Sequence, residues 1–171
     1  MPIEFRNRID HPGLSLPPIR VGKIPSGLGE PHRYITIKTP EKLVRVDCES
    51  GFPYEEAILL PDFAIMAIGH CIFFVNLVTR DVRTVEADRY FCDLRLEGDA
   101  LLAASASQLF KLSHDGNIIW ESKTLGVDGM KIDDIVDGVI HGEYCWEPPE
   151  DWRPFAISLD SGEIIEPPSA T

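Results

Sequence analysis

The sequence predicts an all-β protein made of short antiparallel strands in repeated units. Three observations carry this reading. Stretches that alternate apolar and polar residues recur along the chain, among them Tyr34-Ile35-Thr36-Ile37, Phe74-Val75-Asn76-Leu77, Leu109-Phe110-Lys111-Leu112 and Phe155-Ala156-Ile157-Ser158-Leu159. A period of two places every second side chain on one face, as a half-buried strand requires. Short apolar runs at Phe63 to Ile68 and Ala100 to Ala104 have the length and character of strands buried on both faces. Turn-forming residues then follow the alternating strands, at Thr79-Arg80-Asp81, His114-Asp115-Gly116 and Asp160-Ser161-Gly162.

The chain has 171 residues, enough for one domain to bury most of its apolar surface without disulfide or metal support. Residues 1–31 hold six prolines and four glycines, which disfavour a helix or a central strand. They read as an extended Pro-rich arm, anchored by Ile3, Phe5, Leu14, Leu16, Ile19 and Val21. Residues 32–171 read as a single all-β repeat domain. Its first hairpin pairs Tyr34 to Ile37 with Leu43 to Val46 across Lys38-Thr39-Pro40-Glu41-Lys42.

Three units follow, over about 51–88, 89–128 and 129–167. Tyr54 and Asp62 in the first stand eight apart, as do Phe91 and Asp99 in the second. Each unit continues with an apolar run (Val139-Ile140 in the third), an alternating strand ending on leucine, a turn, and a last strand opening with Val82, Ile118 or Ile164. The leucines Leu77, Leu112 and Leu159 are 35 and 47 residues apart, and the longer interval holds an inserted loop, Glu143 to Trp152. Repetition near 40–45 residues per small sheet marks propeller blades.

The segments LFKLSHDGNIIW and FAISLDSGEII resemble the strand, Asp/Thr-Gly turn, strand repeats of quinoprotein-like and WD-type β-propellers. The resemblance implies a propeller-like array of three to four small blades. The repeats lack the combined Gly-His and Trp-Asp marks of true WD blades, and no quinone-binding constellation is visible. The whole chain also resembles a loose group of small uncharacterised bacterial proteins ending in a Trp-Arg-Pro-Phe strand, here Trp152 to Phe155, and that group brings no activity with it. An array of so few blades raises the question of its edges, which the arm or a homodimer would cover.

The formal charge of −12 argues against nucleic acid as a partner, because phosphate binding needs a basic surface. The charge is uneven: residues 1–125 hold 17 acidic and 14 basic side chains, residues 126–171 hold 11 and 2, for net charges of −3 and −9. No apolar run approaches the roughly 18 residues of a membrane helix, and the N-terminus lacks the apolar core of a secretory signal, so the cytoplasm is the expected location. Cys48, Cys71, Cys92 and Cys145 are widely spaced and read as reduced, buried small hydrophobes.

Candidate chemistry is sparse. His70-Cys71 are vicinal on a strand and so point to opposite faces. His141, Glu143 and Cys145 share one face of a strand, and a His-x-Glu pair serves zinc-assisted deamination, but the Pro-Cys-x-x-Cys ligand pair is missing. Asp128, Asp133, Asp134 and Asp137 lack the EF-hand pattern and read, with Asp93 and Asp99, as turn-capping residues. No Gly-x-Ser-x-Gly elbow occurs, and Ser26-Gly27-Leu28-Gly29 lacks the lysine of a phosphate loop.

The stretch Tyr144 to Pro154 is the strongest surface candidate. Tyr144, Trp146 and Trp152 lie among Glu147, Glu150, Asp151 and Arg153 on a loop stiffened by prolines, and rigid aromatics make anchors at low entropic cost. The sequence therefore predicts a non-enzymatic binding or scaffold protein, an antidote or adaptor for a basic protein partner, with no cofactor or metal. The alternative is a small-molecule-binding or metal-assisted hydrolytic enzyme, with His141, Glu143 and His114 at the blade loops as acid–base groups.

Overall fold

A computed structural model describes residues 2–22, 33–49, 54–147 and 149–165. The Ser26 to Gly29 stretch, Pro148 of the Tyr144 to Pro154 segment and Pro167 at the end of the third unit lie outside them. Among the described residues, fifteen strands form four sheets, and no helix is long and apolar enough to cross a membrane. The chain divides into two compact units, Met1–Val85 and Glu86–Thr171.

In the first unit, β1 (Ile3–Arg6), β2 (Ile19–Gly22), β3 (Arg33–Lys38) and β4 (Leu43–Glu49) form one sheet in the order β1-β3-β4-β2. The expected hairpin is β3 and β4, with Lys38 opposite Leu43. The expected arm is different in kind: residues 2–22 supply both edge strands of this sheet. Proline bars a segment from a central strand, but an edge strand has one row of backbone groups with no ladder to complete. β2 runs parallel to β4, an exception to the antiparallel expectation. The second sheet is antiparallel, β5 (Glu55–Leu59), β6 (Phe63–Ile68), β7 (Cys71–Asn76) and β8 (Val82–Glu86) in chain order. The two sheets share a core in which Ile35, Ile37, Val44 and Val46 meet Ala64, Met66, Phe73 and Leu77. The other face of the first sheet is polar, carrying Thr36, Lys38, Arg45 and the buried Asp47.

In the second unit, β9 (Phe91–Glu97), β10 (Ala100–Ser105), β11 (Leu109–Ser113) and β12 (Ile118–Glu121) again pair in chain order. All six residues of β10 are buried, as its apolar run predicts. The last sheet has three strands, β13 (Met130–Val136), β14 (Val139–Cys145) and β15 (Trp152–Ser158). The strand expected at Ile164 is reduced to a single bridge to Ile157. Leu102, Leu109 and Trp120 of one sheet pack with Met130, Ile132, Ile140, Phe155 and Ile157 of the other.

The repeat is genuine, but its register differs from the sequence reading. Phe63 pairs with Asn76, Ala100 with Ser113, and Val139 with Ser158. Leu112 therefore corresponds to Val75 and Ile157, while Leu77 and Leu159 correspond to His114. The shared role of the two true equivalents is visible in hydrogen bonds: Leu77 N–H donates to the Asp62 carbonyl and Leu159 N–H to the Gly138 carbonyl, both at 2.8 Å. The unit start shifts likewise. Gly69, Ala106 and Cys145 donate to the carbonyls of Tyr54, Tyr90 and Gly129, so Tyr90, not Phe91, matches Tyr54.

Candidate functional site

The two ends of the segment Tyr144 to Pro154 are strand rather than inserted loop. Cys145 pairs with Trp152, Tyr144 with Arg153 and Glu143 with Pro154, so β14 and β15 run out as a hairpin closed by Trp146 to Asp151. The closing residues are tied by backbone bonds, Trp146 N–H to the Asp151 carbonyl at 3.2 Å and Asp151 N–H to the Glu147 carbonyl at 3.1 Å.

Alternation sorts the side chains to two faces. Tyr144 faces inward and stacks on Phe155, with ring centroids 6.4 Å apart and an interplanar angle of 22°. Trp146 and Trp152 remain 41% and 42% exposed, too much for core residues. Trp152 leans on the backbone of Gly129: a Cβ placed there would lie 3.1 Å from the indole Cη2. Glu147 and Glu150 are exposed and line, with Pro149 and Asp151, a shallow groove of about 450 Å³. Asp151 is partly neutralised. Its two oxygens accept Arg153 Nε at 3.0 Å and Nη2 at 2.8 Å, and that bond raises Arg153 further above its usual value.

Lys131, the other cation of this stretch, is also engaged. Its Nζ lies 2.9 Å from Glu143 and 3.4 Å from Asp133, and those carboxylates raise its pKa, by hydrogen bonding first. The acidic surplus of residues 126–171 is thus left on groups such as Glu147 and Glu150, which form no ion pair among the described residues.

The alternative catalytic residues do not assemble. His141 is exposed, Glu143 is bound to Lys131, and Cys145, expected on the same face, is buried with its backbone held by Val127, Asp128 and Gly129. His114 lies in the turn after β11, where its Nε2 is buried and lacks a hydrogen-bond partner. No cluster of three or more His, Cys, Asp or Glu suited to a metal occurs among the described residues. The four cysteines are free thiols.

Three of the aspartates do not act as expected: Asp93, Asp133 and Asp134 lie within strands, and Asp133 pairs with Lys131. Asp93 is within β9, not a turn: its carboxylate accepts Arg95 Nη2 at 2.9 Å and the Ile132 N–H at 3.1 Å. Together with an Arg95 bond to the Ile132 carbonyl, this clamps β9 to β13. Asp134 lies at a bulge of β13 opposite His141. Asp137 does fill a turn, with positive φ values at Asp137 and Gly138. The sequence reading missed Gly129 beneath Trp152 and Lys131 beside Glu143. The spacing of two between Lys131 and Asp133 on an alternating strand signalled only that pair; the Glu143 partner and Gly129 had no signal.

The chain matches no family model, and no curated protein matches it. Among solved structures it is similar to BamB from Moraxella catarrhalis, with a TM-score of 0.55 and 14% sequence identity over 81% of this chain. The chain spans 44% of the length of that protein. BamB is a β-propeller. At this identity the likeness is one of fold, and with the four small sheets it makes this an all-β, propeller-like protein.

Proposed function

We propose that this chain is a non-enzymatic binding protein, an adaptor or antidote that engages a basic protein partner through the acidic, aromatic end of the β14–β15 hairpin. The observation that carries the reading is the exposure of Trp146 and Trp152 on the hairpin that carries Glu147 and Glu150, carboxylates with no ion pair among the described residues. Large aromatics that stay out of a core on a backbone-tied hairpin supply contact area already ordered for association. Local negative charge attracts a cationic partner and speeds encounter. The propeller-like scaffold of BamB is compatible with presenting such a surface on rigid strands. The setting proposed is the cytoplasm, where free thiols stay reduced.

The test is capture of a basic protein segment by the wild type and by a Glu147→Gln/Glu150→Gln/Asp151→Asn variant. The variant is expected to bind at least tenfold more weakly at low salt. Unchanged binding would remove this surface from consideration.

A further inference from the structure

We infer that the partner is held by an arginine side chain stacked on Trp152, on the outer face of the last sheet. This rests on the binding role proposed above and assigns the contact within it. The indole of Trp152 has one side against the Gly129 backbone, where even a Cβ would lie 3.1 Å away, yet the residue is 42% exposed. The tip of the six-membered ring is therefore held beside the Gly129 backbone while much of the residue stays open to solvent. Trp146 differs: it stands in a bend outside the strands. Pro154, two residues along β15, lies on the same side as Trp152, and Glu143 is directly opposite Pro154. Trp152, Pro154 and Glu143, which is paired with Lys131 at 2.9 Å, thus share one surface of the sheet.

Charge selects the occupant. Both cations of residues 126–171 are engaged by neighbouring carboxylates, while Glu147 and Glu150 carry no counterion among the described residues. A guanidinium is planar and weakly hydrated, stacks on indole and accepts a carboxylate beside it, whereas an ammonium is a strongly hydrated point charge.

The test uses the full chain and two synthetic decapeptides, alike except that one carries arginines where the other carries lysines, in titration calorimetry at low salt. The arginine peptide is expected to bind about tenfold more tightly, within the range of a cation–π contact. Trp152→Ala is expected to erase that margin, and Trp146→Ala to leave it. Trp152→Leu, which keeps an apolar side chain without a π face, serves if the alanine variant loses its circular-dichroism signal. Equal binding of both peptides, unaffected at Trp152, overturns the arginine stack and leaves the basic-partner role standing. Saturable binding of neither peptide overturns that role and this inference with it.

Discussion

Asp47 is 3% exposed on the polar face of the first sheet, and Arg45, two residues before it, grips both of its oxygens at 2.7 and 2.9 Å. Arg45 also lies over the Tyr34 ring at 5.6 Å. Removing one partner strands the other, which costs about 3–5 kcal/mol for a fully buried pair. Arg45 keeps the ring and some water, so Asp47→Ala is expected to cost about 2 kcal/mol in urea unfolding. Cys92 provides a pH signature. Burial pushes its thiol up to about 11, against a smaller lowering from a hydrogen bond with the Met130 backbone. The unfolded chain releases that proton from about pH 9, so the folded state holds more protons between pH 9 and 11. Stability is therefore expected to fall with rising pH through that window, by up to about 2 kcal/mol. Cys92→Ala should flatten this part of the profile in thermal unfolding, and an unchanged slope would assign it to other groups.

At the scale of single elements, alternation and turn chemistry in the sequence located the strands, and the register escaped it. Leu112 looks like Leu77 and Leu159 because all three precede a turn. The turn after β11 is one residue shorter, with Ser113 N–H bonded to the Asn117 carbonyl where Asn76 and Ser158 reach Asp81 and Glu163. A one-residue change in a turn is invisible to a periodicity argument. The edge strands β1 and β2 escaped for another reason: their prolines flank them, and the pairing that makes them strands is with residues far along the chain. The acidic hairpin was legible as composition, while the Lys131–Glu143 pair and the Gly129 support needed three dimensions. Two glycines carry expectations here. A Cβ on Gly142 would lie 2.2 Å from the Lys131 carbonyl oxygen and 2.5 Å from Phe155, inside β14. Gly142→Ala is thus expected to cost about 3 kcal/mol or to prevent folding, as overpacking does. Gly162 has φ +74° and faces Trp120, whose Nε1 donates to the Leu159 carbonyl at 3.0 Å. Gly162→Ala should cost about 2 kcal/mol and alter the near-ultraviolet signal of Trp120.

For the molecule as a whole, the charge of −12 is a statement about association rather than fold. Recurrent pairs two residues apart in or beside a strand, Arg45 with Asp47, Asp93 with Arg95 and Arg153 with Asp151, consume cations within the chain. What remains outward is negative. Association with a basic partner is accordingly expected to slow by roughly tenfold or more between low and physiological salt, with a smaller change in dissociation. The most direct measurement of the central claim is an amide chemical-shift titration of the labelled protein with an arginine-bearing decapeptide. Saturable shifts concentrated at residues 143–154 and at Gly129 are the expected result. Shifts spread evenly over the acidic surface, or centred instead on the Glu121, Lys123 and Ile164 groove, would contradict it.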